Sequence, residues 1–122
     1  MRRIADDERR SRLGVRHHLA RSARGDRIDL VAGDIAGLHA TDPATLVLSA
    51  QARLREPSLA AIEDALYVER SLVRMLCVRR TMFVVPVDLA PVVQAACTRN
   101  LVSGERKRFI AQLEGAGIVR RS

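Results

Sequence analysis

The segment from Ser71 to Pro86 most strongly constrains how this 122-residue chain can fold. It contains two short runs of β-forming residues, Leu72–Val78 and Thr81–Val85, with Arg79-Arg80 between them. Short runs rich in branched residues favour strands, and a brief polar connection between two of them favours a hairpin. A helical pattern directly precedes the first run. The sequence therefore predicts a helix followed by a β-hairpin that carries arginines.

Apolar residues at spacings of three and four predict helices on both sides of this hairpin. Asp26 is a candidate N-cap for the second helix, and Asp42-Pro43 separates the second helix from the third. Ser103-Gly104 is expected to end the fifth helix and separate it from the last. The predicted helices cover about 6–19, 27–38, 43–54, 58–68, 87–101 and 105–115.

Three helices followed by a hairpin is the order of a winged helix-turn-helix, in which the helix before the hairpin is the recognition element. We expect a mainly α protein with a small β-hairpin and this fold. Residues 1–24 are predicted to form a basic amino-terminal helix and linker, and residues 25–101 a winged-helix domain. Residues 102–122 would then be a helix and the start of a truncated following element, because Gly117–Ser122 resembles the beginning of a strand.

The chain has a net charge of +7 and only one lysine, Lys107, so nearly all of its cations are arginines. Arginine binds phosphates and guanine edges through two parallel hydrogen bonds. A GC-rich genome would also explain the preference for arginine over lysine, but it would not explain the net positive excess. Double-stranded DNA is therefore the predicted partner.

The cysteines and histidines do not form a pattern typical of a metal site. Cys77 and Cys97 lie in apolar runs and are expected to be reduced core residues of a cytoplasmic protein, nucleoid-associated if it binds DNA. His17-His18 has no metal-ligand spacing with His39 or with the cysteines. We expect no metal, no small-molecule cofactor and no membrane span. The sequence also lacks the glycine-rich phosphate loop and the motifs of serine and zinc hydrolases.

Two groups of arginines are candidate DNA-binding residues. Arg74, Arg79 and Arg80 belong to the predicted hairpin, where strand alternation would direct some of them outward to phosphates. The alternative is that they are solvated arginines on the wet face of an antiparallel pair. A second candidate group lies on the predicted first helix, which could equally be an ordinary solvated helix face: Arg9, Arg12 and Arg16.

Four strings of this chain, in the same order, resemble the amino-terminal part of actinobacterial winged helix DNA-binding domain-containing proteins. These are relatives of the AlkZ/YcaQ type of DNA glycosylase, which unhooks alkylated purines and interstrand crosslinks. The resemblance implies a longer protein of tandem winged-helix units, of which this chain would hold the first. The strings are Gly37-Leu-His-Ala-Thr-Asp-Pro43, Ala65-Leu-Tyr67, Arg70-Ser-Leu-Val-Arg74 and Arg79-Arg-Thr-Met-Phe-Val-Val-Pro86.

The resemblance also implies where a catalytic site would lie. The corresponding segment of the glycosylases carries two glutamines that flank one residue and precede Asp-Pro, and these glutamines position the attacking water. Here His39 and Thr41 stand at the glutamine positions, whereas Asp42 and the proline after it match. Phe83 stands where relatives often have a histidine. His39, Thr41 and Asp42 are therefore the candidate catalytic residues, although both glutamines are replaced.

Three hypotheses follow, and whether the chain is an enzyme stays open. In the first it is a DNA-binding winged-helix module, an amino-terminal fragment of a protein of DNA alkylation or crosslink repair. In the second it is an active glycosylase that hydrolyses the N-glycosidic bond of alkylated purines, with His39 binding the water and Asp42 stabilising the sugar cation. The alternative interpretation of these two residues is that they only cap helix ends around an Asp-Pro turn. In the third it is a structural domain that packs on missing carboxy-terminal domains without contacting nucleic acid.

Overall fold

A three-stranded antiparallel sheet lies at the centre of the computed structural model, which describes residues 2–119. The strands are β1 (Leu38–His39), β2 (Leu72–Leu76) and β3 (Met82–Pro86), with β3 in the middle. The β2–β3 pair is the predicted hairpin, which is confirmed. β1 was not predicted: the second helix was expected to reach Leu38, and that expectation is wrong.

Helices surround the sheet, so the expectation of a mainly α protein with a small β element is confirmed. The fourth predicted helix is observed as α4 (Leu59–Glu63), which continues as a π-helical turn over Asp64–Val68. Its first turn is capped by Ser58, whose hydroxyl accepts a hydrogen bond from the Ala61 amide at 3.4 Å. The α-helices are α1 (Asp6–Arg16), α2 (Ile28–Asp34), α3 (Pro43–Arg53), α4 (Leu59–Glu63), α5 (Ala90–Val93) and α6 (Arg99–Gly115).

α2 differs from its prediction at both ends. Asp26 does not cap it, because the N-cap position is Arg27 and the Asp26 carboxylate accepts hydrogen bonds from Arg55 at 3.0 Å instead. The helix ends at Asp34 because Ala36 and Gly37 adopt positive φ angles of 61° and 118° and turn the chain toward β3. At Gly37 a Cβ would lie 2.8 Å from Cγ1 of Val85, so only glycine allows this close approach.

The carboxy-terminal part is one continuous helical run from Val87 to Gly115 rather than two helices. It begins with a 3₁₀ turn, passes through α5 and a π-helical turn over Gln94–Thr98, and continues as α6. The predicted break at Ser103-Gly104 is wrong, since one glycine weakens a helix by only about 1 kcal/mol. Residues 116–119 form a turn and a bend, and the rest of the predicted final strand lies outside the described residues.

Two apolar clusters cover the two faces of the sheet. Successive side chains of β3 point to opposite faces, so Val84 belongs to the first cluster and Val85 to the second. The first cluster packs β1, β2 and β3 on α2, α3 and α4, and includes Leu38, Leu72 and Val84. The second packs the hairpin on the helical run after it, and contains Cys77, Val85 and Val93 with partly buried neighbours.

The two outermost helices have no such packing. Neither α1 nor α6 contains a buried residue within the described part of the chain. The end of α1 is held by His18, whose Nδ1 lies 2.6 Å from the carbonyl oxygen of Ala23 and whose Nε2 lies 2.9 Å from Oδ2 of Asp34. No helix among residues 2–119 is long and apolar enough to span a membrane.

Candidate functional site

The segment that joins β1 to α3 holds the three candidate catalytic residues. Leu38 and Ala40 are buried, whereas His39 between them is exposed, as strand alternation requires. The His39 ring contacts Phe83, its partner on β3, edge to face, with ring centroids 5.4 Å apart and an interplanar angle of 89°. Phe83 therefore fixes the ring on the sheet face that bears the second apolar cluster.

His39 and Thr41 are in direct contact. The Thr41 hydroxyl oxygen and His39 Nε2 lie 3.0 Å apart, a hydrogen-bond distance, and the histidine tautomer decides which of them donates. When His39 is neutral with its proton on Nδ1, the hydroxyl donates to Nε2. The structure thus brings two of the three candidate catalytic side chains together.

Asp42 is the N-cap of α3, and Pro43 occupies the first helical position. The Thr45 amide donates to Oδ1 of Asp42 at 2.9 Å, and the Thr45 hydroxyl donates to Oδ2. The pKa of Asp42 is lowered, first by the hydrogen bond from the Thr45 hydroxyl and then by the bond from its amide. Asp42 therefore caps α3, as the capping interpretation expects, whereas His39 lies in β1 and caps no helix.

Arg74 connects the hairpin to this segment. From the middle of β2 its Nη2 donates a hydrogen bond to the backbone carbonyl oxygen of Thr41 at 2.9 Å. The side chain of Arg74 lies on the sheet face of Leu72 and Val84, opposite to the face that carries His39. Thr41 is therefore held through its hydroxyl by His39 and through its carbonyl by Arg74. Arg74 also borders a small apolar pocket of about 110 Å³ between α3 and α4.

The tip of the hairpin carries Arg79 and Arg80, both with positive φ angles, 55° and 62°. The connection between the strands contains a three-residue turn, Val78–Arg80, and the Thr81 amide donates to the Val78 carbonyl oxygen at 3.2 Å, closing a β-turn whose central residues are Arg79 and Arg80. Positive φ at both central residues is the requirement of a type I′ turn, for which Asn-Gly is preferred. Arg79 is exposed at this tip, whereas Arg80 forms an ion pair with Glu105 of α6.

The candidate arginines of α1 are exposed, but they are not equivalent. Arg12 donates to Glu8 one turn earlier at 2.7 Å, and this carboxylate also accepts from Arg2 at 2.8 Å. Arg9 and Arg16 are exposed, with no ion pair within the described residues.

Negative charge collects at the base of the hairpin, where residue 71 enters β2 and residue 86 leaves β3. Two clefts there, of about 500 and 280 Å³, share Ser71 and Asp29 in their walls. Asp29 has a lowered pKa, mainly because Arg27 hydrogen-bonds to its carboxylate. Seven of the chain's 14 acidic residues line these clefts: Asp26, Asp29, Asp34, Glu56, Asp64, Glu69 and Asp88. The hairpin is thus acidic at its base and basic at its tip.

Two contacts were not predicted from the sequence, that of Thr45 with Asp42 and that of Glu105 with Arg80. The first was predictable, because an aspartate before a proline is typical of a capped helix start, and the cap binds an amide of the first turn. Glu105 gave no signal, since it meets Arg80 only through the fold. Within residues 2–119 no three histidine, cysteine or carboxylate side chains come together as a metal site.

Comparison with known proteins identifies one family. A family model described as DNA glycosylase AlkZ-like matches residues 32–121. The match includes the candidate catalytic segment, α3, α4, the hairpin and the helical run that follows it. No curated protein and no solved structure matches the chain.

Proposed function

The chain belongs to the AlkZ-like DNA glycosylase family, and on that premise we propose that it is a winged-helix module that binds double-stranded DNA in alkylation or crosslink repair. The observation that carries the proposal is the charge polarity of the hairpin. Arg79 and Arg80 stand at its tip, and the acidic clefts surround its base. Phosphates are attracted to one end and repelled from the other, so the molecule would approach DNA tip first.

The element order supports a winged helix. α2, β1, α3, α4 and the β2–β3 hairpin follow one another as the helices and strands of that fold do, within the proposed winged-helix domain of residues 25–101. In such folds the helix before the hairpin commonly enters the major groove. Residues 59–68, however, contain no arginine or lysine and carry Glu63 and Asp64. We therefore assign the main phosphate contacts to the hairpin rather than to α4.

Salt-dependent binding tests this proposal. Fluorescence anisotropy with a labelled duplex should show affinity that falls steeply as salt rises, because each phosphate contact releases counterions. Arg79→Ala should lower the slope of log affinity against log salt by about one unit. Arg55→Ala is the matched control, since it removes the same charge from a residue that pairs with Asp26 at the acidic base.

Two results would contradict the proposal. If Arg79→Ala and Arg55→Ala change the slope equally, the hairpin tip makes no specific phosphate contact. If the chain does not bind duplex DNA at low salt, the structural hypothesis is favoured instead, in which the domain packs on other domains without contacting nucleic acid.

A second candidate function is hydrolysis of the N-glycosidic bond of an alkylated purine. The contact between His39 and Thr41 favours it, because these residues stand at the two glutamine positions of the glycosylases. Nδ1 of His39 has no hydrogen-bond partner among residues 2–119. With the proton on Nε2, which then donates to the Thr41 hydroxyl, Nδ1 would accept a hydrogen bond from the attacking water. Asp42, whose pKa is lowered by its hydrogen bonds with Thr45, would be the carboxylate that stabilises the developing sugar cation.

Release of N7-methylguanine from alkylated duplex DNA tests this second function. The chain should release the base, and His39→Ala should slow the release by roughly a hundredfold, as expected for loss of a group that positions or deprotonates the nucleophile. His17→Ala is the control, because His17 lies at the end of α1. Unchanged release by His39→Ala would exclude the catalytic role of this residue.

A further inference from the structure

Two cysteines from distant parts of the sequence meet at the interface between the hairpin and the helical run. Cys77 directly follows β2, and Cys97 lies in the π-helical turn between α5 and α6. Their sequence neighbours are bonded to each other, since the Thr98 hydroxyl donates to the Leu76 carbonyl oxygen at 2.6 Å. This bond holds the two backbone segments side by side.

The two cysteines lie in the same apolar cluster. Cys77 is 6% exposed, and Cys97 is partly buried in the same apolar cluster. The pKa of the Cys97 thiol is raised, mainly by burial and also by its hydrogen bond with the Cys77 thiol. Both cysteines are free. Apolar residues form the rest of this cluster, so it contains no charged side chain.

We propose that Cys77 and Cys97 form an oxidisable dithiol that a peroxide converts into an intramolecular disulfide between the hairpin and the helical run. The proposal does not rest on the proposed DNA contacts, because neither cysteine belongs to the tip or to the His39–Asp42 segment. It gives the protein a covalent modification site whose reagent is a small peroxide and whose reversal requires a thiol reductant.

The chemistry proceeds in two balanced steps. Cys97 is the more exposed thiol. It loses its proton, and the thiolate attacks one peroxide oxygen; the O–O bond breaks, the leaving hydroxide takes up that proton as water, and Cys97 becomes a sulfenic acid. The Cys77 thiol then attacks the sulfenic sulfur, forming the S–S bond and breaking the S–O bond, and its proton leaves with the hydroxide as a second water. Two thiols are oxidised by two electrons and one hydrogen peroxide is reduced to two waters. Burial raises the pKa of the Cys97 thiol and keeps it mainly protonated, so the first step is slow.

The disulfide would join elements that are already linked by the ion pair between Arg80 and Glu105. Together, the two links would fix the hairpin tip relative to α6. Because the bridge closes a loop that contains the whole tip and β3, it should also restrict the unfolded chain and raise the thermal midpoint.

Mass spectrometry of the whole chain tests the proposal. After treatment with excess hydrogen peroxide, the intact mass should fall by about 2 Da, and a thiol-alkylating reagent should no longer react. A proteolytic fragment should contain both cysteines joined, and dithiothreitol should restore the two thiols. The thermal midpoint should rise by roughly 5–10 °C on oxidation and return on reduction.

Cys97→Ser is the matched control, because Cys97 is only partly buried and its replacement leaves the buried Cys77 in place. This variant should show neither the mass loss nor the rise in thermal midpoint. The proposal is overturned if the unmodified sequence gains oxygen on each cysteine separately, if it forms only intermolecular dimers, or if it keeps two alkylatable thiols after prolonged oxidation.

Discussion

The central unit of this protein and its two outer helices are stabilised in different ways. Elements between α2 and the π-helical turn at Gln94–Thr98 pack on one of the two apolar clusters that sandwich the sheet. α1 and α6 bury no residue within residues 2–119, although α6 is the longest helix. Apart from the ion pair between Arg80 and Glu105 and the contact between His18 and Asp34, their helical structure depends on local interactions, each worth a few tenths of a kcal/mol. The length and regularity of a helix therefore do not indicate how much its packing stabilises it.

The largest expected difference comes from truncating one apolar side chain in each region. Leu38→Ala should lower the free energy of unfolding by about 2–5 kcal/mol, because Leu38 is 1% exposed and its removal leaves a cavity. Phe109→Ala on α6 should change it by less than about 0.5 kcal/mol, because Phe109 is 60% exposed. Urea unfolding measures both, and equal losses would show that α6 is packed as firmly as the sheet.

The hairpin tip is a strained position within the well-packed unit. Replacing Arg79 and Arg80 together by Asn and Gly should stabilise the protein by roughly 1 kcal/mol, because this pair favours the positive φ angles of the turn. DNA affinity should fall at the same time, since both guanidinium groups are removed. Thermal unfolding and anisotropy on the same sample check the two signs. A loss of stability would mean that the ion pair between Arg80 and Glu105 outweighs the backbone strain.

The cap of α3 should make stability depend on pH. Asp42 has a lowered pKa in the folded protein, so its contribution is present above its unfolded value of about 3.9 and is lost as pH falls through the lower folded value. Asp42→Asn should remove this dependence while keeping a capping side chain. Thermal midpoints measured from neutral to acid pH should therefore converge for the two proteins. Parallel curves would show that the cap does not titrate.

The smallest expected effect lies in α1. Glu8→Gln removes the carboxylate that binds both Arg2 and Arg12, and with it a negative charge near the helix amino terminus. Loss of these exposed pairs should cost about 0.2–0.5 kcal/mol, and only in α1. Hydrogen exchange should show faster exchange there with no change in β3. Faster exchange in β3 would mean that α1 supports the central unit.

The sequence predicted elements whose cause is local. Branched residues marked β2 and β3, Asp42-Pro43 marked the start of α3, and Ser58 marked the start of α4. β1 could not be found in this way, because a two-residue strand exists only where β3 offers it a partner. The helix through Ser103-Gly104 was missed for a related reason: the composition suggests a break, but one unfavourable residue does not end a long helix.

In the candidate site too, features with a local cause were predicted, whereas a contact between distant residues was not. The resemblance of Gly37–Pro43 to a glycosylase segment named His39, Thr41 and Asp42, and the side chains of His39 and Thr41 do meet. The contact between Arg74 and Thr41 joins residues 33 positions apart, so no local pattern encodes it. Arg74 is a candidate DNA-binding residue, and the structure shows that its guanidinium also hydrogen-bonds to the candidate segment.

Gly37 determines the position of β1 as well as the turn before it. Its bare backbone lies against Val84 and Val85, and a methyl group there would press on both the Val85 side chain and the Val84 carbonyl oxygen, 2.8 and 3.2 Å away. Any larger residue would therefore push β1 away from β3 and shift the imidazole of His39, without altering a polar group. A variant at this position would thus displace His39 from its place beside Phe83 while leaving the chemical nature of every side chain in the candidate site unchanged.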